Sequence, residues 1–278
     1  MSTPRIALIG TEGSGKTVLV TVLATKLAHK HPSNIRLNPQ DAKTEKYVTT
    51  NWNMLNLGEW VYSTAPGTLF DLKWKVRLAG KWPGDITECP MRIIDSAGQD
   101  LRRLFSDDSY QKQDIGDQDR EFIACINESD ILLILINLHN FIGESDFNKV
   151  NESKIALKRV LDALQKEHKR QIAIVFTACD LYEGTIIQKY KDDAVHVVGG
   201  TVITDNDLTT AIERFLEKEI PYLYNAHIAD NAVAIFPVAA VADTEIKVDK
   251  NGIARRVPAM NFKSRGLDSL ANWLAVAN

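Results

Sequence analysis

The longest unbroken apolar run in these 278 residues, Ile131 to Ile136, is far shorter than the roughly 20 residues that a bilayer-crossing helix needs. No membrane span is expected. The first residues carry no basic segment followed by an apolar stretch and a small-residue cleavage site, so a secretory leader is not expected and the cytoplasm is the expected compartment. Cysteine is scarce: Cys89, Cys125 and Cys179 are odd in number and widely separated, which fits neither a disulfide framework nor a zinc site. They read as reduced thiols. His29, His31, His139, His168, His196 and His227 show no metal-ligand spacing. No sign of charge dominates either, and a net charge of −3 gives no overall attraction to nucleic acid or anionic lipid. Lys166 to Arg170 and Arg255-Arg256 therefore read as solvated faces.

What the chain does have is the segment Gly10-Thr11-Glu12-Gly13-Ser14-Gly15-Lys16-Thr17, placed between the apolar run Ile6 to Ile9 and a helix-like stretch. This is the spacing and setting of a phosphate-binding P-loop. A loop wrapped around phosphates needs residues without Cβ where its backbone N–H groups converge, which Gly10, Gly13 and Gly15 supply, with Ser14 among them. Lys16 then reaches the β and γ phosphates, Thr17 ligates magnesium, and the helix that follows points its positive dipole end at the anion. A nucleoside triphosphate is the implied ligand.

Further apolar runs recur at Arg92 to Ile94, Ile131 to Ile136, Ile172 to Phe176 and Val233 to Val238, each with the look of a strand buried on both faces. Amphipathic stretches at Thr17 to His29, Arg120 to Asn127, Asn151 to His168, Asp205 to Glu219 and Leu267 to Val276 alternate with them. The pattern predicts an α/β fold, a mostly parallel sheet with helices on both faces. In Thr68 to Leu78, Phe70, Leu72, Trp74 and Val76 alternate with Asp71, Lys73, Lys75 and Arg77, which predicts a half-exposed edge strand antiparallel to its neighbour.

Ligands of such sheets bind beyond the carboxyl ends of the strands, where three segments stand out. In Asp95-Ser96-Ala97-Gly98-Gln99-Asp100, Asp95 can hold magnesium through water, Gly98 lets an N–H approach the γ-phosphate, and Gln99 can orient an attacking water. In Thr177-Ala178-Cys179-Asp180, the carboxylate of Asp180 can accept both donors of a guanine edge, a pair that adenine lacks. After the last strand, Ala239-Ala240 can offer a backbone N–H to a base carbonyl.

These residues resemble the G domain of Ras-like GTPases. The phosphate loop and the D-x-x-G-Q segment match; Thr177 to Asp180 is similar to the motif that reads guanine, and Ala239-Ala240 to a worn S-A-K motif. The long stretch before the second strand, with Gly58-Glu59-Trp60 and Thr64, resembles the GTPases of bacterial conflict-system operons, the double-GTPase families. The resemblance implies one G domain over residues 1–278, with insertions at about 30–63 and 241–262, binding GTP or GDP with magnesium (Mg²⁺). It implies a cytoplasmic GTP hydrolase that switches partner association, in bacterial defence or regulatory assemblies. Thr64 is the expected switch threonine on magnesium, with Thr68 as the fallback.

Two departures bear on mechanism. The family's base-covering lysine is Ala178, and a loop position usually held by glycine is Glu12, whose carboxylate and bulk oppose the γ-phosphate and an arginine finger. Hydrolysis is therefore expected to be slow without a partner, and a nucleotide-binding interaction module with negligible turnover, or an ATP-specific P-loop enzyme, stands as the alternative. Trp52, Met54, Leu55, Leu57, Trp60 and Tyr62 make the first insertion unusually apolar, so it either packs on the domain or forms a partner or dimer surface at the switch face. Asp249-Lys250-Asn251-Gly252 predicts a projecting hairpin with a two-residue Asn-Gly turn before the last helix. Arg102 and Arg103 read as solvated helix residues rather than an internal finger, and Asp107-Asp108 as a solvated pair.

Overall fold

Nine strands and ten helices are assigned in the computed structural model, which describes residues 5–28, 35–79, 86–105, 116–142, 147–164, 170–190, 204–230 and 233–276. In chain order they are β1 (Arg5–Gly10), α1 (Lys16–Ala28), β2 (Ile35–Pro39), α2 (Ala42–Asn56), β3 (Leu69–Ala79), β4 (Ile86–Ser96), α3 (Gly98–Phe105), α4 (Asp117–Asn127), β5 (Ile131–Asn137) and α5 (His139–Ile142). There follow α6 (Phe147–Leu164), β6 (Gln171–Thr177), α7 (Cys179–Tyr190), α8 (Thr204–Glu219), α9 (Pro221–Asp230), β7 (Val233–Pro237), β8 (Thr244–Val248), β9 (Ala254–Pro258) and α10 (Leu267–Val276). Asp107-Asp108, His29, His31, His168, His196 and Lys166 to Lys169 lie outside the described residues.

A seven-stranded sheet runs in the order β2-β3-β4-β1-β5-β6-β7. The five strands from β4 to β7 are mutually parallel, and β3 is antiparallel to both of its neighbours. Alternation along β1 explains the layering: Ile6 and Leu8 join one core with α1, α2 and α10, whereas Ala7 and Ile9 join a second core with α3, α4, α6, α7 and α8. Strands covered on both sides must be apolar throughout. Among the described residues no helix is long and apolar enough to cross a membrane.

Two expectations are corrected. Thr68 to Leu78 is not the sheet edge: β2 pairs along it from Ile35↔Leu78 to Pro39↔Trp74 and takes the edge itself. The alternation of β3 arises because Leu72, Trp74 and Val76 are buried against one core while Lys73 and Lys75 are exposed. The hairpin is present, but its turn spans 249–253 rather than two residues, since the last pair is Val248↔Ala254. Asp249 takes over the closure: its N–H donates to the Ile253 carbonyl, and its Oδ1 accepts from the N–H groups of Asn251 and Ile253. Gly252, at φ 77°, supplies the left-handed residue that this longer turn needs.

The apolar segment before β3 contains a helix, α2, which packs on the domain through Tyr47 and Leu55 while Leu57, Trp60 and Tyr62 remain exposed. Its start is set by Asp41, whose Oδ1 accepts from the Thr44 N–H at 2.8 Å. That hydrogen bond holds the Asp41 carboxyl below its ordinary value. The stabilisation is therefore present above the ordinary carboxylate value and is lost as pH falls through the depressed folded one. Asp41→Ala is expected to cost about 1 kcal/mol at neutral pH, and urea unfolding should show the wild-type advantage vanishing in acid.

Candidate nucleotide site

The phosphate loop after β1, Asp95 to Asp100 at the end of β4 and Thr177 at the end of β6 meet at the carboxyl ends of these parallel strands. The phosphate loop leaves β1 at Gly10 and closes through the Ser14 N–H on the Thr11 carbonyl at 3.1 Å, with Gly13 at φ 71° and Gly15 at φ 82°. Those left-handed angles are open to glycine without strain. A Cβ on Gly10 would meet the Leu135 carbonyl at 2.8 Å. Lys16 is buried, and its Nζ donates to the Gly10 carbonyl at 2.7 Å, with the Ser14 Oγ at 3.3 Å and the Thr11 carbonyl at 3.4 Å. Burial lowers its pKa to about 8, against the pull of Asp95, Asp100 and Glu12.

At the mouth of the loop the Thr17 hydroxyl donates to Asp95 Oδ2 at 2.9 Å and lies 3.4 Å from the Thr64 hydroxyl. Thr64 therefore joins Thr17, whereas Thr68 is held in the turn that follows by its N–H on the Ala65 carbonyl. Asp95 is buried, which raises its pKa, with Lys16 opposing most strongly. Its Oδ1 has no partner. A buried carboxylate oxygen awaiting a donor, beside two hydroxyls, fits a magnesium ion with its waters. Tyr47, from α2, donates to the same Oδ2 at 2.6 Å, and both burial and the Asp95 charge raise its own pKa well above the ordinary value.

Gly98 opens α3 directly over the loop, where a Cβ would collide with the backbone of Thr11 and Glu12. The next residue, Gln99, donates its Nε2 to Glu12 Oε1 at 3.0 Å. Asp100 Oδ2 accepts from the Gly67 N–H at 2.8 Å and Oδ1 from Arg103, tying the segment after Thr64 to α3. Arg103 also makes a double contact with Asp119, whose carboxyl it lowers. It is thus a tether between α3 and α4. The resulting cavity, of about 180 Å³, is lined by the phosphate loop together with Val61, Thr64, Gly98 and Gln99.

On the far side, Thr177 donates to the Ser14 carbonyl at 2.9 Å, and Ala178 turns the chain into α7 at φ 58°. Half-buried Asp180 stands in the first turn of α7, its carboxyl raised by burial and lowered in part by backbone donors at Asp180 and Leu181. Ala239 is not left to read a base through its N–H, which donates to the Arg265 carbonyl at 3.0 Å. Ala240 is the backbone donor position that remains.

Several contributors lie outside the motifs. Asn137 Nδ2 donates to the Gly13 carbonyl at 2.7 Å and Asn140 Nδ2 to the Glu12 carbonyl at 3.4 Å. Asn137 stands at the end of a buried apolar run, where the strand-end rule points. Tyr47 carries no comparable local signal. Among the described residues no cluster of three or more His, Cys, Asp or Glu is placed to hold a metal; Cys125 and Cys179 are in no disulfide, and the Cys179 Sγ donates to the Phe176 carbonyl at 3.0 Å.

No protein-family model matches the chain, and no curated protein resembles it in sequence. Among solved structures it is similar to a signal recognition particle receptor SRb-GTP/SRX complex from Chaetomium thermophilum, at 12% identity and a TM-score of 0.49, over 99% of each chain. The G domain of the T. maritima FeoB iron transporter matches at 12% identity and a TM-score of 0.34, over 86% of this chain and 89% of that one. Elongation factor SelB from Methanococcus maripaludis, in complex with the GTP analogue GppNHp, matches at 14% identity and a TM-score of 0.39, over all of this chain and 34% of that one.

Proposed function

We propose that this chain is a single G domain with two insertions, which binds GTP with magnesium, hydrolyses it to GDP and phosphate, and switches partner association between the two states. The observation that carries the reading is the chain of contacts Thr64, Thr17, Asp95 at the mouth of the phosphate loop, with Gln99 held beside it. Three segments distant in sequence, 12–17, 64 and 95–99, meet there, which supports a triphosphate site.

In this proposal the loop N–H groups and Lys16 hold the β and γ phosphates, and the Gly98 N–H senses the γ-phosphate. Thr17, Thr64 and Asp95 would hold magnesium, which when bound neutralises charge on the phosphate oxygens. Glu12 takes the amide end of Gln99 and so presents its carbonyl end to the attacking water. The water oxygen bonds to the γ-phosphorus as the bond to the β–γ bridging oxygen breaks; GDP keeps that electron pair and the protons pass to phosphate and solvent. Asp180 accepts the guanine donors and the Ala240 N–H serves the base carbonyl. Without an arginine from a second chain the rate is expected to stay on the order of 10⁻⁴ per second. Release of Thr64 after phosphate loss would free the segment that Asp100 tethers, which is how a partner surface changes. The likeness of Gly58-Glu59-Trp60 and Thr64 to conflict-system GTPases extends the proposal to a defence or regulatory assembly.

The Glu12 contact also favours a second reading, an interaction module that binds nucleotide with negligible turnover, since its carboxylate faces the γ-phosphate position. Single-turnover phosphate release separates the two. Wild type is expected to release phosphate above the uncatalysed background and Gln99→Ala roughly 10²-fold more slowly. Wild-type release at background would remove hydrolysis and leave the module.

A further inference from the structure

The base-reading side of the site has an unfilled role. Ala178 ends in a methyl group and has no stem to cover a purine, while Asp180, the proposed reader of its edge, stands two residues on in the first turn of α7. The chain leaves this loop at Ala240, runs through β8 and β9, and comes back beside its starting point. There Arg265 and Ala239 exchange both backbone hydrogen bonds, N–H to carbonyl, at 3.0 and 2.8 Å. The return is tight: Gly266 sits at φ 75°, and a Cβ on it would run into the Pro237 carbonyl. Arg265 is thus fixed at the strand end while its side chain stays exposed.

The hairpin and the segment after it are fastened to α2 and the stretch that follows α2. Trp60 Nε1 donates to the Arg256 carbonyl at 2.8 Å, Trp52 meets Phe262 edge-on at 5.5 Å, and Arg256 Nη1 holds the Thr244 hydroxyl at 3.0 Å. The strand that carries Arg256 is therefore held by the segment preceding Thr64. Both guanidinium groups bear on the Asp180 carboxyl and help to lower its pKa, Arg265 more than Arg256, and Arg256 acts on Tyr182 as well. A guanidinium is planar, always charged and weakly hydrated, and it stacks on aromatic faces.

We propose that the returning segment completes the base pocket, with Arg265 covering the purine in place of the lysine that position 178 lacks and Arg256 closing it from the hairpin. This rests on the guanine-nucleotide reading and adds a specificity element to it: Asp180 reads the purine edge, whereas Arg265 binds the face. Face stacking does not depend on ring substituents, so the two contributions separate by nucleotide.

The test is displacement of a fluorescent GDP analogue from the full chain by GDP, XDP and ADP. Arg265→Ala should weaken all three about tenfold, with Arg256→Ala losing less, and thermal unfolding should show both variants folded. Ala178→Lys placed in the Arg265→Ala background should recover the loss. Affinities in Arg265→Ala equal to wild type, or a loss that Ala178→Lys does not recover, overturn the assignment. The guanine reading is judged separately, by the wild-type ratio of GDP to ADP and by Asp180→Asn shifting preference from GDP to XDP. An equal loss for GDP and ADP supports the cover whichever purine wild type prefers.

Discussion

Lys16→Ala is expected to weaken GTP binding at least about a hundredfold, the value of the two or more charge-assisted hydrogen bonds that an ammonium makes to phosphate oxygens. In the protein alone the same ammonium is turned on its own loop, donating to the Gly10 carbonyl at 2.7 Å with Ser14 Oγ at 3.3 Å. Its removal leaves loop carbonyls short of a donor but also abolishes the burial of a charge, which already lowers its pKa to about 8. The two terms oppose, so the fold should change by less than about 2 kcal/mol. Titration with a fluorescent GTP analogue, beside a urea melt, separates the effects. Equal affinity in the two proteins would remove the triphosphate from this loop.

Gly98→Ala is expected to be strongly damaging. Its Cβ would lie against the Glu12 nitrogen and the Thr11 carbonyl carbon, with the Thr11 oxygen at 2.6 Å. All three are backbone atoms at the end of β1, so no side chain can swing aside. The start of α3 must move away from the loop, which parts Gln99 from Glu12 and displaces the Gly98 N–H. Single-turnover hydrolysis should fall more than about 10²-fold, and overpacking should cost about 1–3 kcal/mol of stability in a urea melt. Hydrolysis within a few-fold of wild type would show that α3 does not need this approach. Because the Gly98 backbone is not left-handed, the expected effect is collision rather than conformational strain.

Local pattern carried a good deal of this. Ile6 to Ile9 and Ile131 to Ile136 could be read as strands because burial on both faces leaves no room for polar residues. The phosphate loop was legible because glycines and a lysine at fixed spacing answer to one ligand. Thr64 was the expected threonine and Thr68 the fallback; the turn closed by the Thr68 N–H on the Ala65 carbonyl is what leaves the Thr64 hydroxyl, 3.4 Å from that of Thr17, as the nearer of the two. Position 98 was legible as a glycine with a role, but not its contact with Thr11, which joins β4 to β1.

The misread elements share one cause. The alternation of Thr68 to Leu78 records one buried face but not what pairs with the free hydrogen-bonding edge, and β2 lies thirty-odd residues upstream. An Asn-Gly pair favours a two-residue turn, yet Asp249 outbids it by satisfying two further N–H groups once β8 and β9 have paired.

What the sequence determined by itself is therefore every assigned strand but β2, five of the ten assigned helices, and a glycine-rich loop between β1 and α1, because each follows from residues close together in the chain. The tertiary structure alone decided which partners those residues meet: Tyr47 on Asp95, Glu12 on Gln99, Arg265 beside Ala239. Such contacts join segments tens of residues apart, and it is the packing of two cores on one sheet that brings them within hydrogen-bonding distance.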